Sequence, residues 1–582
     1  MGAIFGAIGS ISQAELREMG DRLSHRGAVA TWKEVAPTVF LGRTAREKGR
    51  IHVKGALSAV IDLSGAAPQG VTEDDVFDTF VQNGLSGLER LQGAVAIAAW
   101  DDHTQTLLLA RDFVGQKPLH YCALPHGGTA FATEYKALLA IDALPAEADL
   151  DALQYLQCYK TTPPGRTLLA RVHCAAPGAI TRLTPDGELV SEDEMRPLRV
   201  NVQPVAENVA RDELARRMVN AIRRVASGRS RIGISLSGGI DSMSVAFACR
   251  ECAPSAELVG YTAGHGDDDP EIRNAAIVMD RLGGRHVPVI VTADPLAKLL
   301  PELVWHFESP VGRTETVQAL VIAKAARDDG LEWLMTGMGS DGLFAGMPKH
   351  KLLWLSQLIP PLRKDLQEFY ALTQSGRPPQ RPMAKLMDLL YFRGAVPPVP
   401  RIREASFVPG MPYFPAAGPE FLNHTMVKDA HETLSRSLVR LERPFQAAGL
   451  DFASPFFDRE VMDYAFALPS KLKIRRGQEK YILRQAMHSL VSPDLLNTPK
   501  GISRIRQDGQ FAQTLQKLSD RYLSRERLQA RGWFDPDEVQ RISRRLGHNR
   551  YHAEAAMRLW TIIVTEIWAQ LYLDHRGRRP SE

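Results

Sequence analysis

The chain has 582 residues, too many for a single hydrophobic core, so two domains are the starting expectation. With 44% hydrophobic and 24% charged residues it has the balance of a soluble globular protein, and a net charge of +4 on 71 basic and 67 acidic side chains gives no electrostatic footprint for nucleic acid. The five cysteines, Cys122, Cys158, Cys174, Cys249 and Cys252, are too few and too scattered for a secreted disulfide framework and fit the reducing cytoplasm.

The N-terminal MGAIFGAIGS is apolar but lacks the basic start and the length of a signal peptide, and Gly6 stands where a myristoylation pattern wants Ser or Thr. Short apolar runs follow, VFLGRTA, LSAVIDLSGAA, AVAIAAWDD and TLLLARDF, separated by Gly, Pro, Asp and His. That is the signature of a strand-rich layer. The segment RPLRVNVQPVAE reads as a linker, and from about Glu207 the pattern turns helical, ENVARDELARRMVNAIRRVAS, before strand and helix candidates begin to alternate. The expected organisation is a first domain over 1–195, a linker over 196–206 and a second domain over 207–582.

In RIGISLSGGIDSMSVAFA, Ile232, Ile234 and Leu236 alternate as a strand would, and Asp241, Ser242 and MSVAFACR can open a helix. Ser237, Gly238 and Gly239 then occupy a strand-to-helix turn, where unhindered N–H groups and the helix N-terminus make a phosphate site; a plain structural turn is the alternative. The Walker pattern is absent, since no Lys followed by Ser or Thr closes the loop. Cys249 and Cys252 form a C-x-x-C in the following helix, with no second pair or histidine cluster at zinc spacing, and read as helix packing.

In WLMTGMGSDGLFAG, Gly337, Gly339 and Gly342 spell G-x-G-x-x-G. The dinucleotide fingerprint belongs to the first strand-turn-helix of its fold and needs an acidic residue about 20 positions on. This stretch lies late in its domain and is followed by the apolar, proline-broken LWLSQLIPPL, so nicotinamide binding is not expected. Asp341 is better read with Asp241 as a pair of magnesium ligands, because Mg²⁺ is usually shared between one or two carboxylates and substrate phosphates. Either aspartate alone could be a helix N-cap. Residues 350–450 are proline-rich and predict an irregular excursion. Near the C-terminus AAMRLWTIIVTEIWAQLYL has the length of a membrane span, but Arg558 and Glu566 interrupt it, so a buried helix is expected and no membrane span.

SGGIDS resembles the loop of enzymes that cleave ATP between its α- and β-phosphates, and the two glycine loops in this order resemble the asparagine synthetase family. SHRGA (Ser24–Ala28), LLLARDFVGQKPLHYC (Leu107–Cys122) and FATEYKALLA (Phe131–Ala140) look like its glutamine-hydrolysing domain; SPFFDREVMDYAFALP, EKYILRQAM and TPKGISR follow its synthetase pattern. The resemblance implies an α+β Ntn-hydrolase-like glutaminase domain, here degenerate, joined to an α/β adenine nucleotide α-hydrolase-like synthetase domain of the PP-loop ATPase type.

Several departures stand out. Glutamine-hydrolysing members expose a cysteine after removal of Met1, and here the second residue is Gly2; their NGE segment is replaced by VIDLSGA around Asp62–Gly65. Asp451 and Ala453 stand near the positions of a Glu- and Arg-containing turn, which argues against a free-aspartate site. The β-lactam-forming branch pairs a tyrosine with the glutamate that matches Glu479, but no tyrosine occurs between Tyr413 and Tyr464. The MGAIFG start, the degenerate first domain and the proline-rich excursion look like a lasso peptide cyclase.

By this resemblance ATP binds at Leu236, Ser237, Gly238, Gly239, Asp241 and Ser242 and faces Gly337, Gly339, Ser340 and Asp341, with Mg²⁺ on Asp241 and Asp341. Lys500 would stabilise charge on the phosphate and the tetrahedral intermediate, and Glu479, at the start of a helix, would orient or deprotonate the amine. The expected substrate is a precursor peptide, with a leader-peptide recognition protein and a leader protease as partners. The alternatives are an ammonia-dependent asparagine synthetase-like or β-lactam synthetase-like ligase and an inactive binding scaffold.

Overall fold

The computed structural model describes residues 2–580 except 92, 267, 292–295, 314, 360, 362, 366–367, 369–380, 383, 386–399, 408–417, 419, 497–508 and 547–551. The first part of the chain supplies β1 (Gly2–Ile8), β2 (Val29–Ala36), β3 (Val39–Ala45), β4 (His52–Lys54), β5 (Leu57–Leu63), β6 (Val95–Asp101), β7 (Thr106–Arg111), β8 (His120–Ala123), β9 (Thr129–Ala132), β10 (His173–Cys174), β11 (Ala179–Leu183) and β12 (Leu189–Glu194). They form two antiparallel six-stranded sheets, ordered β10-β8-β9-β1-β3-β2 and β12-β11-β7-β6-β5-β4. Ile4, Leu41 and Phe131 of one sheet meet Val60, Ala98 and Leu109 of the other. On the outer face of the second sheet Ala59, Ile61 and Ile97 pack on Val76, Phe77 and Phe80 of the helix Glu73–Arg90. Both faces of β6 and of the Ala59–Ile61 centre of β5 are therefore apolar, which is why AVAIAAW reads as an unbroken run rather than as alternation. The result is a helix-sheet-sheet-helix sandwich, the architecture of an Ntn-type amidotransferase domain.

The second part is a parallel sheet of β13 (Arg231–Ser235), β14 (Glu257–Gly264), β15 (Arg285–Ile290), β16 (Trp333–Thr336) and β17 (Asp451–Ala453), ordered β15-β14-β13-β16-β17. The chain leaves β13 toward β14 and returns to β16 on β13's other side, so a topological switch lies between β13 and β16. Ligands of open α/β sheets bind at such a crevice, beyond the strand C-termini. Both glycine loops lie there, after Ser235 and after Thr336.

The helix Glu207–Ala226 coincides with the predicted periodic run. Cys249 is fully buried in the helix Ile240–Cys252, and burial pushes its thiol pKa up. The expectation of an irregular 350–450 is corrected at both ends: it opens inside the helix Pro348–Leu358, and at its far end the helix Phe421–Asp429 continues through a π-turn at Ala430–Leu434 into Ser435–Ala447, which carries Pro444 and packs on the helix Glu315–Asp328. The apolar stretch near the C-terminus is the buried helix Ala553–Ala569, where Trp560 and Trp568 are fully enclosed and Glu566 meets Arg531 at 3.2 Å. Among the described residues no helix is long and apolar enough to cross a membrane.

Candidate functional site

Leu236 is buried and carries the chain out of β13: its N–H donates to Tyr261 O at 2.9 Å, and its carbonyl accepts from Thr262 Oγ1 at 2.6 Å. Gly238 then takes φ 66°, a left-handed conformation that side chains resist, and Gly239 caps the helix Ile240–Cys252. The Ser237 N–H donates to Ser242 Oγ at 3.1 Å, which folds the turn back over the first helical residues. The loop after β16 closes on it. A Cβ on Gly337 would stand 2.7 Å from Ser242 N, so only glycine lets the two loops touch. Ser340 Oγ donates to Asp241 Oδ1 at 2.5 Å across the contact. Leu236, Ser237, Gly238, Gly239, Asp241, Ser242, Gly337, Gly339, Ser340 and Asp341 thus come together where the two loops meet, and the start of a thirteen-residue helix suits a phosphate there.

Asp241 and Asp341 converge, and the cation between them is a residue that sequence reasoning missed. Lys480 Nζ lies 2.6 Å from both carboxylate oxygens of Asp241 and 2.6 Å from Asp341 Oδ1. Two carboxylates that share one ammonium form a site for a hard cation, so the donor set fits magnesium shared with phosphate oxygens, given that Lys480 yields its place. Lys480 sits at the left-handed N-cap of the helix Tyr481–Met487, φ 56°. Glu479 therefore precedes that helix by two residues, a correction to its expected place at the helix start; its carbonyl accepts from Arg484 Nε at 3.3 Å. The Lys500 assignment lies outside the described residues.

At the other domain's would-be nucleophile, Gly2 pairs with Ala45 across β1 and β3, and a Cβ there would run into the Thr44 carbonyl oxygen. Asp62, from the VIDLSGA segment, is fully buried 3.2 Å from Lys117 Nζ. The same ammonium lies 2.9 Å from Asp451, whose other oxygen accepts from Gly65 N at 2.7 Å. Against the cost of burial, Lys117 holds the Asp451 carboxyl below its usual range. Asp451 thus binds inward to the first domain.

A second buried network crosses the domain boundary. Arg443 meets Glu134 and Glu308 at 2.7 Å each, Arg26 meets Glu134 at 2.5 Å and Glu442 at 2.6 Å, and Lys136 meets Glu134 at 2.5 Å. His25 and His120 lie against it, and burial pushes them down to about 4 and about 3 from 6.5. Both are neutral in the fold, so the unfolded chain binds more protons below pH 6.5 and stability falls as pH drops from there toward each folded value. His25 alone is expected to cost about 3 kcal/mol on acidification through that window, read as a falling urea midpoint between about pH 7 and 4.

The asparagine synthase profile matches residues 213–570, and that of a glutamine amidotransferase domain matches 69–192, a range that begins after Gly2 and Asp62. A putative glutamine-hydrolysing asparagine synthetase of Mycobacterium tuberculosis is 27% identical over 528 residues, covering 84% of this chain and 78% of its own. Asparagine synthetase 1 of Bacillus subtilis is 24% identical over 513 residues, 84% of this chain and 79% of its own. The carboxyethyl-arginine beta-lactam-synthase of Streptomyces clavuligerus is 25% identical over 516 residues, 86% and 82%. With an Ntn-type domain packed on a PP-loop-type domain whose crevice holds both glycine loops, the chain belongs to the asparagine synthase family.

Proposed function

We propose that the chain is an AMP-forming carbon–nitrogen ligase without glutaminase activity, and that it closes the macrolactam ring of a lasso peptide. One observation carries the reading: the phosphate crevice is intact while backbone fills the space that a nucleophile at residue 2 would need. With no ammonia made from glutamine, the amine has to come from the substrate. The N–H groups of Gly238 and Gly239 donate to the triphosphate, and Asp241 and Asp341 would hold a magnesium ion that offsets charge on the departing phosphates. A peptide carboxylate oxygen attacks the α-phosphorus and the bond to the β-phosphate breaks, releasing pyrophosphate. The peptide's α-amine then attacks the acyl carbon, loses its proton toward Glu479, and expels AMP, with Lys500 on the developing negative charge. The protein would work in the cytoplasm on a precursor peptide, beside a leader-recognition protein and a leader protease.

The deciding experiment incubates ATP, magnesium and a linear core peptide with the enzyme. AMP, pyrophosphate and a product lighter by one water are expected, and acetylating the peptide's N-terminus should abolish that product. ADP and phosphate would overturn the adenylation chemistry, and an amidated peptide formed only with added ammonia would overturn ring closure. A Gly2→Cys variant is expected to lose about 1–3 kcal/mol from overpacking against Thr44 and still to release no glutamate from glutamine. Glutamate release by the unaltered protein would refute the nucleophile argument.

A further inference from the structure

Between the first domain and the helices on one face of the parallel sheet lies a cavity lined by Lys160, Arg313, Arg436 and Arg440, with the hydroxyls of Thr162 and Thr316. Lys160 and Thr162 come from the first domain, just after the helix Leu150–Tyr159, where Lys160 takes φ 60° as a left-handed cap. Arg313 precedes the helix Glu315–Asp328, and Arg436 and Arg440 lie on Ser435–Ala447. Those helices feed β16 and β17, so their earlier turns lie toward the end of the sheet that carries both glycine loops.

Among the described residues, no carboxylate lines this cavity, and none stands within ion-pairing distance of the four cations. Lys160 Nζ donates to Gln157 O at 2.7 Å and Arg436 to Thr162 O at 2.5 Å, so both are held by neutral carbonyls. Arg440 Nε is buried without a hydrogen-bond partner. Burial and the nearby Arg313 push Lys160 down to about 8 and Arg440 down to about 10. Four cations gathered around one cavity repel one another, with Glu315 offsetting part of the charge on Arg440, and an oxyanion would relieve both the repulsion and the unmade hydrogen bond. Phosphate already has its proposed cradle at Gly238 and Gly239, at the start of the helix Ile240–Cys252.

We propose that this cavity is an interdomain anion pocket that holds a carboxylate of the peptide substrate other than the one activated, so that the first domain, through Lys160, contributes to substrate binding. The inference rests on the ligase reading above. The anchoring carboxylate has two possible sources, an internal acidic side chain or the peptide's C-terminus.

Binding without ATP tests it separately from catalysis. Three short probes are titrated by calorimetry: acetyl-Gly-Glu-Gly-amide, its Gln counterpart, and acetyl-Gly-Gly-Gly with a free C-terminus. At least one carboxylate-bearing probe should bind saturably and weaken with salt, and which of them binds identifies the source. Arg440→Gln and Lys160→Met should each weaken that binding about tenfold, while Asp341→Asn should leave it unchanged. Without ligand, Arg440→Gln should melt no lower than the parent protein, since it removes an unpaired charge. Equal binding of the Glu and Gln probes, binding untouched by either pocket variant, no saturable binding, or a lowered melting point in both variants would overturn the pocket. An enzyme that makes AMP yet binds no probe refutes this inference alone; one that binds probes but makes no AMP refutes the ligase reading alone.

Discussion

Replacing Arg443 by methionine is expected to cost about 3–5 kcal/mol of folding stability. The side chain is almost fully enclosed, with one guanidinium nitrogen 2.7 Å from Glu134 in the first domain and another 2.7 Å from Glu308 in the second. The cluster balances as a set: Arg26, Lys136 and Arg443 supply three positive charges, and Glu134, Glu308 and Glu442 supply three negative ones. Methionine fills much of the volume but leaves two buried carboxylates under-compensated, and desolvation already pushes Glu308 up from its ordinary value. Adding Glu308→Gln to Arg443→Met should therefore restore part of the loss, because it removes one stranded charge. Denaturant unfolding of the two single variants and the double variant measures this. A cost below about 1 kcal/mol for Arg443→Met would mean that water reaches the cluster and screens it.

That network also marks where sequence reading stops. Arg26, Glu134, Glu442 and Arg443 each look like ordinary surface charges along the chain, and only the packing of the domains brings residues 416 positions apart into contact. The glycine loops were legible because their demands are local: a left-handed Gly238 at a strand end and a helix starting at once after it leave their mark in consecutive residues. The strand-rich first domain was legible for a similar reason, since strands buried on both faces need apolar residues in unbroken runs. The helix Ser435–Ala447 was hidden by proline, which usually ends helices; here Pro444 stands in the last turn of an otherwise amphipathic segment. Lys480 was adjacent to the singled-out Glu479 and still missed. A signal existed, because two aspartates expected to meet in a closed crevice require a cation when no metal is bound.

Lys480→Met is expected to lower AMP formation about a hundredfold or more, on the scale of removing one preorganised charged donor from a reacting phosphate. Its ammonium lies 2.6 Å from Asp241 and from Asp341, and Gly346 leaves room for it, since a Cβ there would occupy the space of Lys480 Cε. The side chain is held by a left-handed backbone at φ 56° and by its N–H, which donates to Phe344 O at 3.2 Å, so it cannot drift far from the crevice. Were a divalent cation to take the two carboxylates, the ammonium would be released from them and free to serve a phosphate oxygen instead. Its two proposed roles separate experimentally. As a stand-in cation it suppresses magnesium binding, so in Lys480→Met the two carboxylates are left uncompensated and added magnesium should raise the melting temperature more than in the parent protein. As a phosphate contact it is needed for turnover, so activity should stay low even with magnesium in excess. Lys480→Arg should not rescue, because the wider guanidinium meets Gly346 and the Asp341 carboxylate in the same confined space. Full activity in Lys480→Met at saturating magnesium would reduce Lys480 to a placeholder for the metal; an unchanged response of the melting temperature to magnesium would place the metal elsewhere than on Asp241 and Asp341.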